Sequence, residues 1–267
     1  MQNRANFINL HKIEPNMKIA LIGYGKMGHA IEKIARERGH EIVAVIDIDS
    51  QDKFDSPEFK SADVAIEFTV PAMAFDNYVR AFERGVKVVS GTTGWTERMP
   101  EIKEMCDRDG ATFFWTSNFS IGVNIFFALN AYLSKLMDKF TQYRPEMEEI
   151  HHVHKLDHPS GTAISLARGI IGATERISSW TENPEAAADE LLIAHRREGE
   201  VPGTHIVRWD SPVDTITIEH RAKSREGFAL GAVVAAEWVA TQTGFLTMDE
   251  LMERIVGDKK LTDIIKS

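Results

Sequence analysis

Cysteine is almost absent from this chain: Cys106 is the single one among 267 residues, so no intrachain disulfide can form. A lone thiol suits a reducing compartment. Long apolar runs are missing too. No window approaches the roughly 18 uninterrupted apolar residues that a membrane helix needs, and the stretch Gly231–Ala240 is broken by Glu237 and reads as a buried helix. Residues 1–16 lack the apolar stretch of a secretory signal; they read as a flexible arm, or as residues upstream of a start at Met17. Basic side chains are outnumbered, 31 against 40 acidic, for a net charge of −9. This balance argues against nucleic acid or an anionic membrane as partner, yet leaves room for a local basic site that takes a small anion. The expected setting is the cytoplasm.

What is present is the profile of an ordinary globular protein, 43% hydrophobic and 27% charged, long enough for one large domain or two moderate ones. The apolar run Lys18–Ile22 ends in Gly23-Tyr24-Gly25-Lys26-Met27-Gly28, after which Met27, Ala30, Ile31, Ile34 and Ala35 recur at helical spacing until Gly39. Ile42–Ile46 is a second strand, closed by Asp47. Strands at Val64–Phe68, Val86–Ser90 and Thr112–Trp115 alternate with helices over Phe75–Arg84 and Met99–Asp109. That alternation predicts a parallel sheet covered on both faces. The rhythm changes after Asn118. A helix is expected over Val123–Asp138, an extended segment over Met147–His154, and a helix from Pro159 to about Ile171. The stretch Thr181–Glu190 reads as a solvated loop or short helix. Strands follow at Leu192–Arg197, Thr204–Trp209 and Thr215–Ala222, a pattern of antiparallel or mixed sheet. A helix over Phe228–Thr241 and a capping box at Thr247-Met248-Asp249-Glu250 close the chain.

Gly23, Gly25 and Gly28 satisfy G-x-G-x-x-G between a strand and a helix. The first glycine permits the turn, the second lets a pyrophosphate approach the backbone, and the third lets helix pack on strand. Asp47, at the end of the next strand, is placed to accept hydrogen bonds from a ribose diol. Its charge would repel a ribose 2′-phosphate, and Asp49 adds to it, so NADH is expected over NADPH; Lys53 could compensate in part. A tight turn in some other α/β protein is the competing reading.

Four of the ten histidines fall within His151-His152-Val153-His154-Lys155-Leu156-Asp157-His158. Three readings compete. The segment could be a solvated edge strand. It could bind metal, since His152 and His154 would share a strand face, but no distant carboxylate or cysteine set stands out to complete the coordination, and no metal is expected. Third, it could bind an anion and donate a proton. On a strand His151 and Lys155 would share the other face, and Pro159-Ser160-Gly161-Thr162 opens a helix able to grip a carboxylate. A histidine is a credible general acid, a lysine can hold or protonate a developing anion, and a dicarboxylate substrate would fit both.

The run Glu149-Ile150-His151-His152-Val153-His154-Lys155-Leu156-Asp157-His158-Pro159-Ser160-Gly161-Thr162-Ala163 closely resembles the signature of the 4-hydroxy-tetrahydrodipicolinate (dihydrodipicolinate) reductases. Further matching stretches occur in the same order: Phe68-Thr69-x-Pro71, Gly91-Thr92-Thr93-Gly94, Ser117-Asn118-Phe119-Ser120-x-Gly122-Val123-Asn124 and Ser224-Arg225-x-x-Phe228-Ala229-x-Gly231-Ala232-Val233. The resemblance implies an α/β protein. A Rossmann-type parallel-sheet domain, 17–119 plus 229–267, would bind the dinucleotide. An inserted α+β domain, 120–228, would bind substrate and form a homotetramer. It implies His151 as proton donor and acceptor, Lys155 as a second proton donor, and substrate contacts from His152, Lys155, Ser160, Gly161 and Thr162. The glycine turn, from Gly23 through Tyr24, Gly25, Lys26 and Met27 to Gly28, would wrap the pyrophosphate and Asp47 would hold the ribose. Gly91, Thr92 and Thr93 with Thr116, Ser117, Asn118 and Phe119 would border the nicotinamide. The implied reaction is hydride transfer from NADH or NADPH to a small cyclic dicarboxylate, with domain closure about Asn118–Ser120 and Arg225–Phe228. Two features depart from the family pattern: the glycine turn is one residue shorter than in many members, and His158 stands where alanine is frequent.

Overall fold

The computed structural model describes residues 16–256; the predicted arm 1–16 lies, but for Asn16, outside the described residues. In chain order the elements are β1 (Lys18–Ile22), α1 (Lys26–Glu37), β2 (Glu41–Ile46), α2 (Pro57–Lys60), β3 (Val64–Glu67), α3 (Pro71–Phe82), β4 (Lys87–Ser90), α4 (Met99–Asp109) and β5 (Thr112–Trp115). There follow α5 (Ile121–Met137), β6 (Arg144–His151), α6 (Gly161–Ala173), β7 (Ser179–Thr181), β8 (Glu190–Arg197), β9 (Thr204–Asp210) and β10 (Thr215–Arg221). The chain ends its described course with α7 (Glu226–Val239), β11 (Gly244–Leu246) and α8 (Met248–Val256). Two compact units result: residues 16–121 with 225–256 form one, and 122–224 the other.

The first unit is built on a six-stranded sheet of order β11-β5-β4-β3-β1-β2, parallel throughout. Its central strands are buried past their first residues, and β3 (Val-Ala-Ile-Glu) is buried at all four positions. This is the continuous apolar reading of a strand covered on both faces. On one side Phe54, Phe59, Tyr78, Trp95 and Phe113 form an aromatic core. Helix α7, rich in alanine and valine and buried on nearly every side, packs on α1, β3, β4 and β5. Its buried carboxylate, Glu237, is matched by Arg38 (2.7 and 2.9 Å) and His40 (2.8 Å). Lys87 closes its C-terminus by donating to the carbonyls of Val239, Ala240 and Gln242, where a cation meets the negative end of the helix dipole. The capping box at Thr247 forms as read, with Glu250 accepting from the Thr247 N–H at 2.8 Å.

The second unit is a mixed five-stranded sheet of order β10-β9-β6-β8-β7. β6 and β7 run parallel to β8, whereas β9 runs antiparallel to β6 and β10. Its core joins Leu166, Ala167 and Ile170 of α6 to Met147, Leu191, Ile193, Val207 and Trp209 of the sheet. One expectation needs correction: the extended segment read over Met147–His154 runs instead from Arg144 to His151. Thr181–Glu190 is a loop from the end of β7 to the start of β8, the first of its two readings. Among the described residues no helix is long and apolar enough to cross a membrane.

Candidate active site

The strand order puts β2 and β3 on opposite sides of β1, so the topological switch of the first sheet lies at the C-terminal end of β1, where α/β sheets bind ligands. The glycine turn sits there. Gly23 has φ +90°, and a Cβ on it would run into the Phe68 carbonyl; one on Gly28 would stand 2.5 Å from the Gly23 oxygen. Both are glycine because the protein's own backbone leaves no room. Gly25 is different: a Cβ there would meet nothing within 4 Å. Helix α1 starts at this point with no side-chain cap and no acid in its first turn. An open glycine before an uncapped helix start leaves backbone N–H groups free to meet an anion, and these residues fit a dinucleotide. Lys26 is exposed and Met27 half-buried, while the Tyr24 hydroxyl is taken by Glu32. Asp47 is exposed, one residue beyond β2, and its Oδ1 accepts from the Ile48 N–H at 2.9 Å. Lys53 donates to the Val45 carbonyl at 3.2 Å.

A buried carboxylate that the sequence reading passed over organises the neighbouring loops. Glu67, at the end of β3, accepts from Ser90 Oγ (2.6 Å), Thr92 Oγ1 (3.0 Å), the Thr69 N–H (3.1 Å) and the Thr69 hydroxyl. Burial pushes its pKa up and these donors pull it back. Thr92 is thereby committed to structure: its carbonyl also accepts from Trp95 and Trp115. Thr93 and Ser117 are exposed. Thr116 and Asn118 hold their own turn, and Phe119 is buried against Phe68 and Phe114.

In the second unit the alternation of β6 puts Glu149 and His151 on one face. Glu149 is fully buried. Its Oε2 accepts from the Ser160 N–H at 3.0 Å and lies 3.5 Å from His151 Nδ1 and 3.8 Å from His205 Nε2. His205 stands opposite Glu149 on β9, meets Ser160 Oγ at 3.1 Å, and sets its ring edge-on to His151 at 5.1 Å. Burial pushes the His151 pKa down; Glu149 opposes this, while Lys155 and Arg197 add to it. Beyond His151 the chain leaves the strand, with the Lys155 N–H bonded to the His152 carbonyl. The predicted alternation of His151 and Lys155 against His152 and His154 therefore fails, because those residues line a turn instead of a ladder. Arg197 holds that turn by donating to the carbonyls of Lys155 (3.1 Å) and Asp157 (2.8 Å). Lys155 Nζ lies 2.8 Å from both carboxylate oxygens of Asp157, which keeps that carboxyl below its usual range. His152 is half-buried, and His154 faces Glu200 at the surface. Ser160 caps α6 through its Oγ, so its hydroxyl serves the fold; Gly161 and Thr162 form the first turn, which carries no acid.

This arrangement has a measurable pH signature. Burial, reinforced by the nearby charges of His151, His220 and Lys155, pushes His205 down to about 3. The unfolded chain takes up this proton near pH 6.5 and the folded chain only near 3. The stabilisation is therefore complete above 6.5 and is lost as pH falls from 6.5 toward 3, by at most about 1.4 kcal/mol per pH unit for one proton. Urea unfolding of His205→Gln at a series of pH values should show a shallower acid loss than the parent chain. Equal slopes would remove His205 from the balance.

A parallel sheet with a glycine turn at its switch point, joined to an α+β unit with a buried His–Glu set, defines a two-unit, nucleotide-binding α/β enzyme. The chain belongs to the dihydrodipicolinate reductase family. The N-terminal family profile matches residues 17–119 and the C-terminal profile residues 122–252. It is 47% identical to the 4-hydroxy-tetrahydrodipicolinate reductase of Christiangramia forsetii, over 88% of this chain and 98% of that one. It is 35% identical to the enzyme of the same name from Archaeoglobus fulgidus, over 89% and 100%. The fold matches the solved dipicolinate-bound dihydrodipicolinate reductase of Paenisporosarcina sp. TG-14 with a TM-score of 0.69, at 21% identity, over 87% of this chain and 97% of that one. The protein is thus an oxidoreductase that depends on a nicotinamide dinucleotide.

Proposed function

We propose that this chain reduces 4-hydroxy-tetrahydrodipicolinate, or its dehydrated form, to tetrahydrodipicolinate with NADH in preference to NADPH, in diaminopimelate and lysine synthesis. The observation that carries the reading is the buried Glu149–His151 pair followed by the Lys155 turn and the start of α6. A reduced nicotinamide, when bound, supplies the hydride. The glycine turn Gly23–Gly28 holds its pyrophosphate and Asp47 its ribose; Gly91, Thr93 and the stretch 116–119 border the nicotinamide, with Thr92 setting the loop from within. Gly161 and Thr162 grip a substrate carboxylate at the positive end of α6. His151 delivers the proton that balances hydride addition. A dicarboxylate beside it adds to the pull of Glu149 and favours the imidazolium, while the push from burial makes that imidazolium the stronger acid. Lys155 is the second proton donor and must exchange its Asp157 partner for the substrate anion. His152 contacts substrate from the turn. The family resemblance supports a cytoplasmic homotetramer.

The test is direct. With substrate generated in situ by a synthase from pyruvate and aspartate semialdehyde, reduced nicotinamide should be consumed only when substrate is present. The kcat/KM for NADH should exceed that for NADPH about fivefold, the worth of about 1 kcal/mol between the Asp47 carboxylate and a 2′-phosphate in water. No oxidation despite cofactor binding would overturn the substrate assignment, and a reversed ratio would overturn the role of Asp47. A second variant separates binding from folding. Gly25→Ala should not lower the Tm, since its methyl group meets open space, and should weaken NADH binding about tenfold, a cost of about 1.4 kcal/mol. An unchanged Kd would take Gly25 out of the pyrophosphate site.

A further inference from the structure

His158 has no part in the chemistry above, yet it does not stand alone. Its Nδ1 lies 2.8 Å from Glu182 Oε1, and His195 Nδ1 lies 3.1 Å from the same oxygen. The three donor atoms all fall within 4.8 Å of one another. The two imidazoles stack with centroids 4.3 Å apart and planes 17° from parallel. Bonds of about 2.0–2.1 Å to a tetrahedral Zn2+ set neighbouring donors about 3.4 Å apart; the two nitrogen–oxygen distances are close to that spacing, and one imidazole must turn out of the stack for both nitrogens to face one ion. Two neutral imidazoles and one carboxylate carry a single negative charge, a set suited to a borderline divalent metal.

We propose that His158, Glu182 and His195 form a surface site for a divalent transition metal, with Zn2+ as the best-fitting ion and water in the fourth position. Three elements bring its ligands together. Glu182 directly follows β7 and His195 lies on the adjoining parallel strand β8, whose register is fixed by the pairing of Thr181 with Leu192. His158 follows Asp157, whose carbonyl Arg197 holds. All three side chains are between 31% and 49% exposed, which leaves an entry path. A metal there ties the 152–160 turn to the β7–β8 edge. Glu149, His151 and His205 also lie within metal reach of one another, but Glu149 already accepts from Ser160 and faces Arg197, and that set belongs to the site described above.

The experiment is titration of the tag-free, full-length protein with Zn2+ by calorimetry, alongside His158→Ala, His195→Ala and the near-isosteric Glu182→Gln. The expected result is one saturable Zn2+ per chain, weakened at least ~10–100-fold by each substitution, since loss of a ligand exceeds loss of its supporting contacts. His151→Gln should leave it intact. Zn2+ should raise the Tm of the parent chain but not of Glu182→Gln, and Co2+ should give the visible absorption of a tetrahedral site in the parent chain. Absence of saturable binding, binding indifferent to all three substitutions, binding lost in His151→Gln, or a Co2+ spectrum of six-coordinate type would each overturn the proposal. The parent-chain Co2+ spectrum stands whether or not a variant folds.

Discussion

His151→Gln is expected to lower kcat at least 100-fold while leaving KM and Tm nearly unchanged. The magnitude is the lower end of what a positioned general acid contributes, about 10²–10⁴. Fold should survive because the other partners of Glu149 remain: the Ser160 N–H at 3.0 Å and Arg197 at 3.7 Å still face that carboxylate. Glutamine keeps a polar side chain of similar reach but cannot cycle a proton. The profile of kcat against pH distinguishes a donor from a mere strut. In the parent enzyme kcat should fall on the alkaline side as His151 loses its proton, and in the variant that limb should vanish. A variant with parental kcat would remove the proton from His151 and leave Lys155 as the donor to test.

Gly231→Ala is expected to be among the most damaging single-methyl additions in the molecule. The Cβ would drive into the carbonyl oxygen of Phe119, with the Phe119 Cβ itself 3.4 Å away. A backbone carbonyl cannot rotate aside as a side chain can, so either α7 or the 116–119 turn must move. Phe119 and most of α7 are buried, and the helix packs against three strands. Overpacking of this kind costs about 3 kcal/mol, which corresponds to a fall in Tm of roughly 6–12 °C for a chain near this size. Gly172→Ala on α6 is the matched control: its methyl group meets nothing within 4 Å, and the lower backbone entropy of the unfolded chain should stabilise the fold by about 0.4–1 kcal/mol. Calorimetric Tm values that did not separate the two variants would show that the Phe119 turn yields freely.

The alternation of apolar runs and amphipathic helices was legible because it is local: β1, β5 and α4 begin and end close to where periodicity and the glycine stops put them. The capping box at Thr247 was legible for the same reason. The end of β6 was not. Residues 152–155 keep a strand-like polar and apolar alternation, but Arg197, 42 positions from Lys155, pulls the chain into a turn. The individual site residues divide in the same way. His151 and Lys155 announce themselves by density of chemistry in one short run. His205 is paired with Ser160 across 45 positions and Glu67 with Ser90 across 23. In sequence Glu67 is one more acid at a strand end, and only the sheet shows that it is buried. The same holds for Glu182, whose partners His158 and His195 lie 24 positions before it and 13 after it in a fold that periodicity alone cannot assemble.

The interruption of the first unit by the second sets an order of events during synthesis. Strands β1 to β5 emerge early, but the helix that covers β3, β4 and β5 lies beyond residue 225, and the sixth strand, β11, beyond residue 243. Until then the growing chain carries an incomplete sheet with β3, β4 and β5 uncovered on one face, whereas residues 122–224 are contiguous and reach completeness first. The half that carries Glu149 and His151 is therefore the earlier one to mature, and the half that carries the glycine turn stays open to chaperones and proteases until its last helix arrives.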